Sequence, residues 1–228
     1  MVEITAPPSR KQVVNALNAG ADCFMADFED ALSPTWANVL GGHYNLMKAI
    51  KKNLRFYDQE RRKEYSVLEI SSQIFVRPRS LPREETNMLV DGVPISAALF
   101  DVTVYAFNNL ANLRDNLRQN CYFYLPKIEF MEEAAFWNEI LSFLEEKLGV
   151  PQFSFKVSVI VESVVAVAQL DEIVFALKER IVGLNAGRWN YIGSILKRYR
   201  EQPSCQLDSR HQIRSDATFL NLFNQHVV

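Results

Sequence analysis

Charged residues in this chain gather where apolar runs end. Asp27, Glu29 and Asp30 close the run that starts at Ala21, and Arg77 and Arg79 close Gln73 to Val76. Lys127 follows Cys121 to Leu125, Glu162 follows Phe155 to Val161, and Arg188 and Asn190 follow Arg180 to Leu184. A single charged strand end is ordinarily a loop residue or a structural ion pair. Repetition along one chain points instead to a shared site. The residue types define its chemistry. An arginine offers a planar fork to carboxylate or enolate oxygen. Carboxylates at adjacent strand ends can hold Mg²⁺, which keeps waters and takes oxygen from substrate. A metal-bound 2-oxo acid has a polarised carbonyl, open to attack by an enolate. Backbone N–H groups in Gly187-Arg188-Trp189-Asn190, at a loop-to-helix start, suit a substrate carboxylate.

Those residues need elements that bring them to one side. Short apolar runs alternate with longer amphipathic ones, about six times over, which predicts a parallel sheet with helical crossovers. The runs are continuously apolar, as strands buried on both faces should be. Ser9 reads as the cap of a helix over Arg10 to Asn18, and Asn38 to Leu54 as a second helix. A helix leading from Ile95 through Phe107 ends near Gln119, and Met131 to Leu148 is helical with Gly149 as its stop. Phe136, Trp137, Ile140, Phe143 and Leu144 form an apolar stripe expected to face the core. Charged ends at the C-termini of parallel strands match the active-site face of a (β/α)8 barrel. The expected fold class is therefore α/β, of TIM-barrel type and incomplete, as one domain over residues 1–228. Residues 55–72 and 80–98 read as surface excursions or a small insert.

Composition bounds the partners. The 228 residues carry a net charge of −2, 48% hydrophobic and 23% charged residues, as in an ordinary soluble protein with a sizeable core. Nothing points to nucleic acid or to a membrane. Three cysteines at long spacings imply neither a disulfide framework nor a zinc site, and Cys23 and Cys121 read as buried thiols. Eight glycines without G-x-G-x-x-G argue against a dinucleotide fold. His43, His211 and His226 lack ligand-like spacing. No targeting signal is visible at either end, in Met1 to Thr5 or in Gln225 to Val228.

Several segments together resemble malate synthase, in the shorter form of that family. They are Val2-Glu3-Ile4-Thr5, Phe24 to Asp30, Val76-Arg77-Pro78-Arg79, Tyr122 to Lys127, Val161-Glu162-Ser163 and Gly183 to Trp189, in order along nearly the whole chain. The resemblance implies a Claisen condensation of acetyl-CoA with glyoxylate to malate and CoA, the glyoxylate-cycle reaction, with Mg²⁺. By position it makes Arg77 the group that stabilises the enolate and Glu162 a metal ligand. It gives the glyoxylate carboxylate to the backbone of Trp189 and Asn190, within the Gly187, Arg188 stretch, and puts Glu29 and Asp30 beside the site. Lys127 matches a family lysine. A cytoplasmic or peroxisomal (glyoxysomal) location follows from the family.

Two departures qualify this. The family has an aspartate after the tryptophan as its second metal ligand, and Asn190 stands here instead. One negative charge is lost, so weaker Mg²⁺ binding is expected. The family's general base, an aspartate in a later helical region, has no counterpart in this sequence, since Asp208 and Asp216 come too soon. About six strands of an eight-stranded barrel leave open edges, through which association is expected. The rival readings are an inactive remnant that binds without turnover, and a Mg²⁺-dependent lyase of citrate-lyase β-subunit type.

Overall fold

A computed structural model describes residues 1–70, 72–117 and 119–227. Ser71 in the 55–72 excursion, Arg118 beside the expected helix end and the terminal Val228 lie outside the described residues. The chain divides into two compact units. The first is Met1–Tyr124 with Ser154–Lys156; the second is Leu125–Phe153 with Val157 onward.

The first unit opens with β1 (Glu3–Ala6), α1 (Arg10–Leu17), β2 (Cys23–Asp27) and α2 (Trp36–Ile50). Two antiparallel hairpins follow, around the next parallel strand: β3 (Arg55–Asp58) with β4 (Lys63–Ser66), then β5 (Gln73–Arg77), then β6 (Glu84–Val90) with β7 (Val93–Ser96). The last elements are α3 (Ala97–Asn112), a π turn over Leu113–Leu117, and β8 (Tyr122–Leu125), which belongs to this unit up to Tyr124. β1 pairs with β2, β2 with β5 and β5 with β8, all parallel. Lys156 then donates its N–H to the Cys121 carbonyl at 3.1 Å. All five residues of β2 are buried, as a strand covered on both faces requires. Phe24, Ala26, Ile74, Val76 and Phe123 are fully inaccessible. Leu17, Leu46, Val102 and Tyr105 on the helices are buried as well, and the Tyr105 ring meets Phe123 edge-on at 5.9 Å.

The β6–β7 turn is tight. Met88, Leu89 and Val90 are strand, and only Asp91 and Gly92 make the turn, with φ of 51° and 80°. Positive φ at both central residues is the type I′ geometry, whose twist matches the strands it joins. Gly42 in α2 has a different reason. A Cβ there would lie 2.8 Å from Phe28 Cε1 and 2.8 Å from Pro8 Cγ, so only glycine lets the helix come this close.

The second unit carries α4 (Met131–Leu148), β9 (Lys156–Val161, from Val157 on), α5 (Val164–Ala168), α6 (Leu170–Ala176), β10 (Ile181–Ala186), α7 (Arg188–Tyr199) and α8 (Thr218–Val227). β9 and β10 are parallel, with an irregularity between Ile181 and Gly183. Gly149 ends α4 in the left-handed region at φ 65°. Phe223 of α8 stacks on Tyr191 of α7 at 4.0 Å and 5°, and α8 packs on β10.

The apolar stripe of α4 needs correcting. Trp137 is buried, but Phe136 is 50% and Phe143 57% exposed. The buried positions are Ala134, Trp137, Leu141 and Glu145. A glutamate joins that face because Arg180, also inaccessible, meets it with Nη1–Oε1 2.7 Å and Nη2–Oε2 2.9 Å. Asn138 and Ser142 accept two further guanidinium hydrogens, each at 2.7 Å. A buried charge is tolerable when paired and hydrogen-bonded in this way. The pair turns the helix so that its phenylalanines face outward.

Candidate functional site

In the first unit, β2 and β5 run side by side with Asp27 opposite Arg77. Register therefore puts the acidic run and the arginine at the same strand end. Arg77 Nη1 lies 3.3 Å from Asp27 Oδ2, and Nη2 lies 2.7 Å from Asp30 Oδ2. Arg77 and Asp27 are buried, whereas the Asp30 side chain is 44% exposed. Asp27 also accepts the N–H groups of Glu29 (2.9 Å) and Asp30 (3.2 Å) on Oδ1. One carboxylate thus orients the arginine and shapes the loop that carries its second partner.

Glu29 does not join that cluster. Its buried carboxylate accepts the Ser80 N–H at 3.0 Å, and Arg83 stands 3.9 Å away. It ties the β2 loop to the segment after β5. Arg79 points into a separate buried network. Asp101 accepts its Nε at 2.9 Å, its Nη2 at 2.9 Å and its backbone N–H at 2.9 Å, and Glu85 accepts Nη1 at 2.8 Å. His43 Nε2 is 3.2 Å from the same aspartate, and its ring stacks on Phe28 at 4.4 Å. Burial would push the Asp101 carboxyl up. The hydrogen bonds from His43 and Arg79 outweigh burial and hold it below the usual range. Glu85 is likewise held down by Arg79 and Asn87 against the opposing pull of burial. Arg79 is therefore a support for the strand end, and His43 is a satisfied core histidine at Nε2. Asp101 and Glu85 carry no signal in the sequence. One sits mid-helix and the other in a hairpin strand, and only the fold aims both at Arg79.

In the second unit, Glu162 follows β9 directly. Its Oε1 accepts the Lys127 backbone N–H at 2.7 Å. Its Oε2 lies 3.3 Å from Lys127 Nζ and accepts a hydrogen bond from Asn190 Nδ2 at 2.5 Å. Lys127 has φ 58°, an uncommon conformation for a side-chain-bearing residue. Gly187 makes the approach possible. A Cβ there would stand 2.6 Å from Glu162 Cβ and 2.9 Å from Ile160 Cγ2. Gly187 also donates its N–H to the Val161 carbonyl at 2.8 Å. Trp189 is 47% exposed and lies against two guanidinium groups, Arg188 at 4.6 Å and Arg210 at 4.9 Å from the ring.

The sequence positions thus fall into two groups, each within one unit. Arg77 meets both Asp30 and Asp27 directly, with Glu29 bound to Ser80 nearby in the chain. Glu162 and Asn190 are joined together with Lys127, beside Gly187. Asp27 and Lys127 deserve the same standing as their partners, and both lie in strand-end motifs legible in the sequence. As arranged, the donor set around Glu162 does not fit a divalent cation. An amide NH₂ and an ammonium face the carboxylate where a cation requires oxygen lone pairs. Among the described residues no three His, Cys, Asp or Glu side chains converge as a metal cluster. No helix among them is long and apolar enough to cross a membrane.

Comparisons with known proteins bear on these arrangements. The family model "Malate synthase, TIM barrel domain" matches residues 73–228. Malate synthase of Arabidopsis thaliana is 38% identical over the whole chain, which covers 41% of that protein. Malate synthase of Myxococcus xanthus is 41% identical, with 42% of it covered. The bifunctional glyoxylate cycle protein of Caenorhabditis elegans is 41% identical, with 23% covered. The chain therefore spans less than half the length of these relatives. Among solved structures, the citrate synthase SbnG aligns over 99% of this chain and 71% of its own, with a TM-score of 0.51 at 12% identity. That last likeness concerns the fold alone. The α/β order of elements, the charged strand ends and the match over residues 73–228 agree: the chain belongs to the malate synthase family and carries its TIM-barrel domain in part.

Proposed function

We propose that this chain serves the malate synthase reaction, a Claisen condensation of acetyl-CoA with glyoxylate. In that reaction a base takes a proton from the acetyl methyl group, the enolate carbon attacks the aldehyde carbon of glyoxylate, whose oxygen takes up a proton, and water hydrolyses the thioester to release malate and CoA. The observation that carries this reading is Arg77. It is a buried guanidinium at a C-terminal strand end, oriented by Asp27 and held on its outer side by the half-exposed Asp30. A forked cation in that setting suits an enolate oxygen better than water does, because its orientation is already fixed. The backbone from Gly187 to Asn190 would take the glyoxylate carboxylate, with Arg188 adding positive charge. Family membership implies a divalent metal in general, which would polarise the glyoxylate carbonyl. Glu162 and Asn190 are the positions matching its ligands, but their bonding does not fit the ion. The family also suggests a cytoplasmic or glyoxysomal setting.

The test is deuterium exchange into the acetyl-CoA methyl group, followed by NMR, alongside CoA release with glyoxylate present. Exchange by the wild-type chain that is lost in Arg77→Ala supports the reading. Exchange unchanged in that variant would sink it. A second reading, binding without turnover, is favoured by the Asn190–Glu162 hydrogen bond. It predicts calorimetric binding of glyoxylate or acetyl-CoA with no exchange and no CoA release.

A further inference from the structure

We propose that Asn190 takes over the bridging role of a cation, so that Glu162, Lys127 and Asn190 hold one another at the strand ends without needing a divalent metal. The first support is hydrogen-bond logic. A carboxylate only accepts, so the amide must turn its NH₂ toward Glu162, as it does on Oε2 at 2.5 Å. Two carboxylates at that separation would repel and would need a proton or a metal ion between them. An amide needs neither. The second support is charge. Glu162 brings one negative charge, Lys127 one positive charge at 3.3 Å, and Asn190 none. Within these three residues the charges cancel. A divalent ion would have to displace the ammonium and the amide from the oxygens they already hold.

The third support is that the backbone holds this geometry from several sides. Lys127 adopts φ 58° while giving its N–H to Oε1 at 2.7 Å. Gly187 lets the β10 end approach to where a Cβ would overlap Glu162 Cβ at 2.6 Å. The Glu162 side chain is only 3% exposed. A Mg²⁺ ion, which usually retains waters, would have to break these contacts to reach the carboxylate. The inference goes beyond the proposed reaction and is independent of it, because cation binding is read on the protein alone.

The test is titration of the full chain with Mn²⁺, followed by electron paramagnetic resonance, and with Mg²⁺, followed by calorimetry. The wild type is expected to show no saturable site up to about 1 mM, the weak end for oxygen-ligand sites. Its unfolding midpoint should be the same in Mg²⁺ and in EDTA. Asn190→Asp should gain a saturable site at least about tenfold tighter, with a midpoint raised by Mg²⁺ through preferential binding to the folded state. Adding Glu162→Gln to that variant should remove the gain. Saturable wild-type binding that Glu162→Gln abolishes would overturn the proposal, and this arm needs no folded Asn190→Asp protein. Absence of any gain in a folded Asn190→Asp variant would overturn it as well.

Discussion

Asn190 donates its side-chain amide to the carboxylate of Glu162, and the two residues come from the starts of different βα connections. A carboxylate pair would be held by a shared ion, whereas this pair is held by a hydrogen. The consequence for local geometry is direct. This hydrogen bond fastens the ends of β9 and β10, with Gly187 at a point of close approach.

Gly187→Ala should therefore be costly although glycine itself makes no side-chain contact. The new methyl would meet Glu162 Cβ at 2.6 Å and Ile160 Cγ2 at 2.9 Å. Forced overpacking of this kind costs about 1–3 kcal/mol. A lower urea midpoint at unchanged slope checks it. Gly193→Ala, with nothing within 4 Å of its Cβ position, is the control and should be neutral or slightly stabilising in mid-helix.

The Arg79–Asp101 pair predicts a second large effect. Asp101→Ala leaves a buried guanidinium with Glu85 as its remaining carboxylate among these contacts, and leaves His43 without its Nε2 partner. Breaking one side of a buried pair typically costs about 3–5 kcal/mol. Chemical denaturation should show that loss. Asp101→Asn, which keeps the shape, should lose less.

The same network predicts acid sensitivity. Asp101 and Glu85 both lie below their ordinary values of 3.8 and 4.5 in the folded chain. Groups of this kind stabilise fully above the unfolded values and lose that contribution as pH falls through the lower folded ones. Stability should be flat from pH 7 to about 5 with respect to these groups and fall below about 4.5. Urea midpoints across that range should steepen their fall in the wild type. Glu85→Gln should show a shallower fall.

Arg180 and Glu145 offer a test of why α4 is turned as it is. Either single replacement, Arg180→Met or Glu145→Leu, strands a buried charge and should cost about 3–5 kcal/mol. The double replacement should recover much of the loss, since apolar residues of similar volume often substitute for a buried pair. A double-mutant cycle with no coupling would contradict the pairing.

Much of this protein was legible from residues alone. Strand runs such as Cys23–Asp27 and Gln73–Arg77 announce themselves because strands buried on both faces are apolar throughout. Met131–Leu148 is bounded by its period and by Gly149. Long motifs around Asp27, Arg77, Glu162 and Arg188 carried the family and the charged strand ends. The buried face of α4 is hidden from the pattern, which counts apolar residues and cannot know that Glu145 will be neutralised by an arginine far along the chain. Asp101 and Glu85 were invisible for the same reason. A charge becomes a core residue only when tertiary structure supplies its partner. The substitution at position 190 was visible in the sequence, and its weaker claim on a metal could be argued there. That its amide would turn to Glu162, close the cluster with Lys127 and require Gly187 was decided only in three dimensions, because hydrogen bonding depends on distance and direction rather than on residue type.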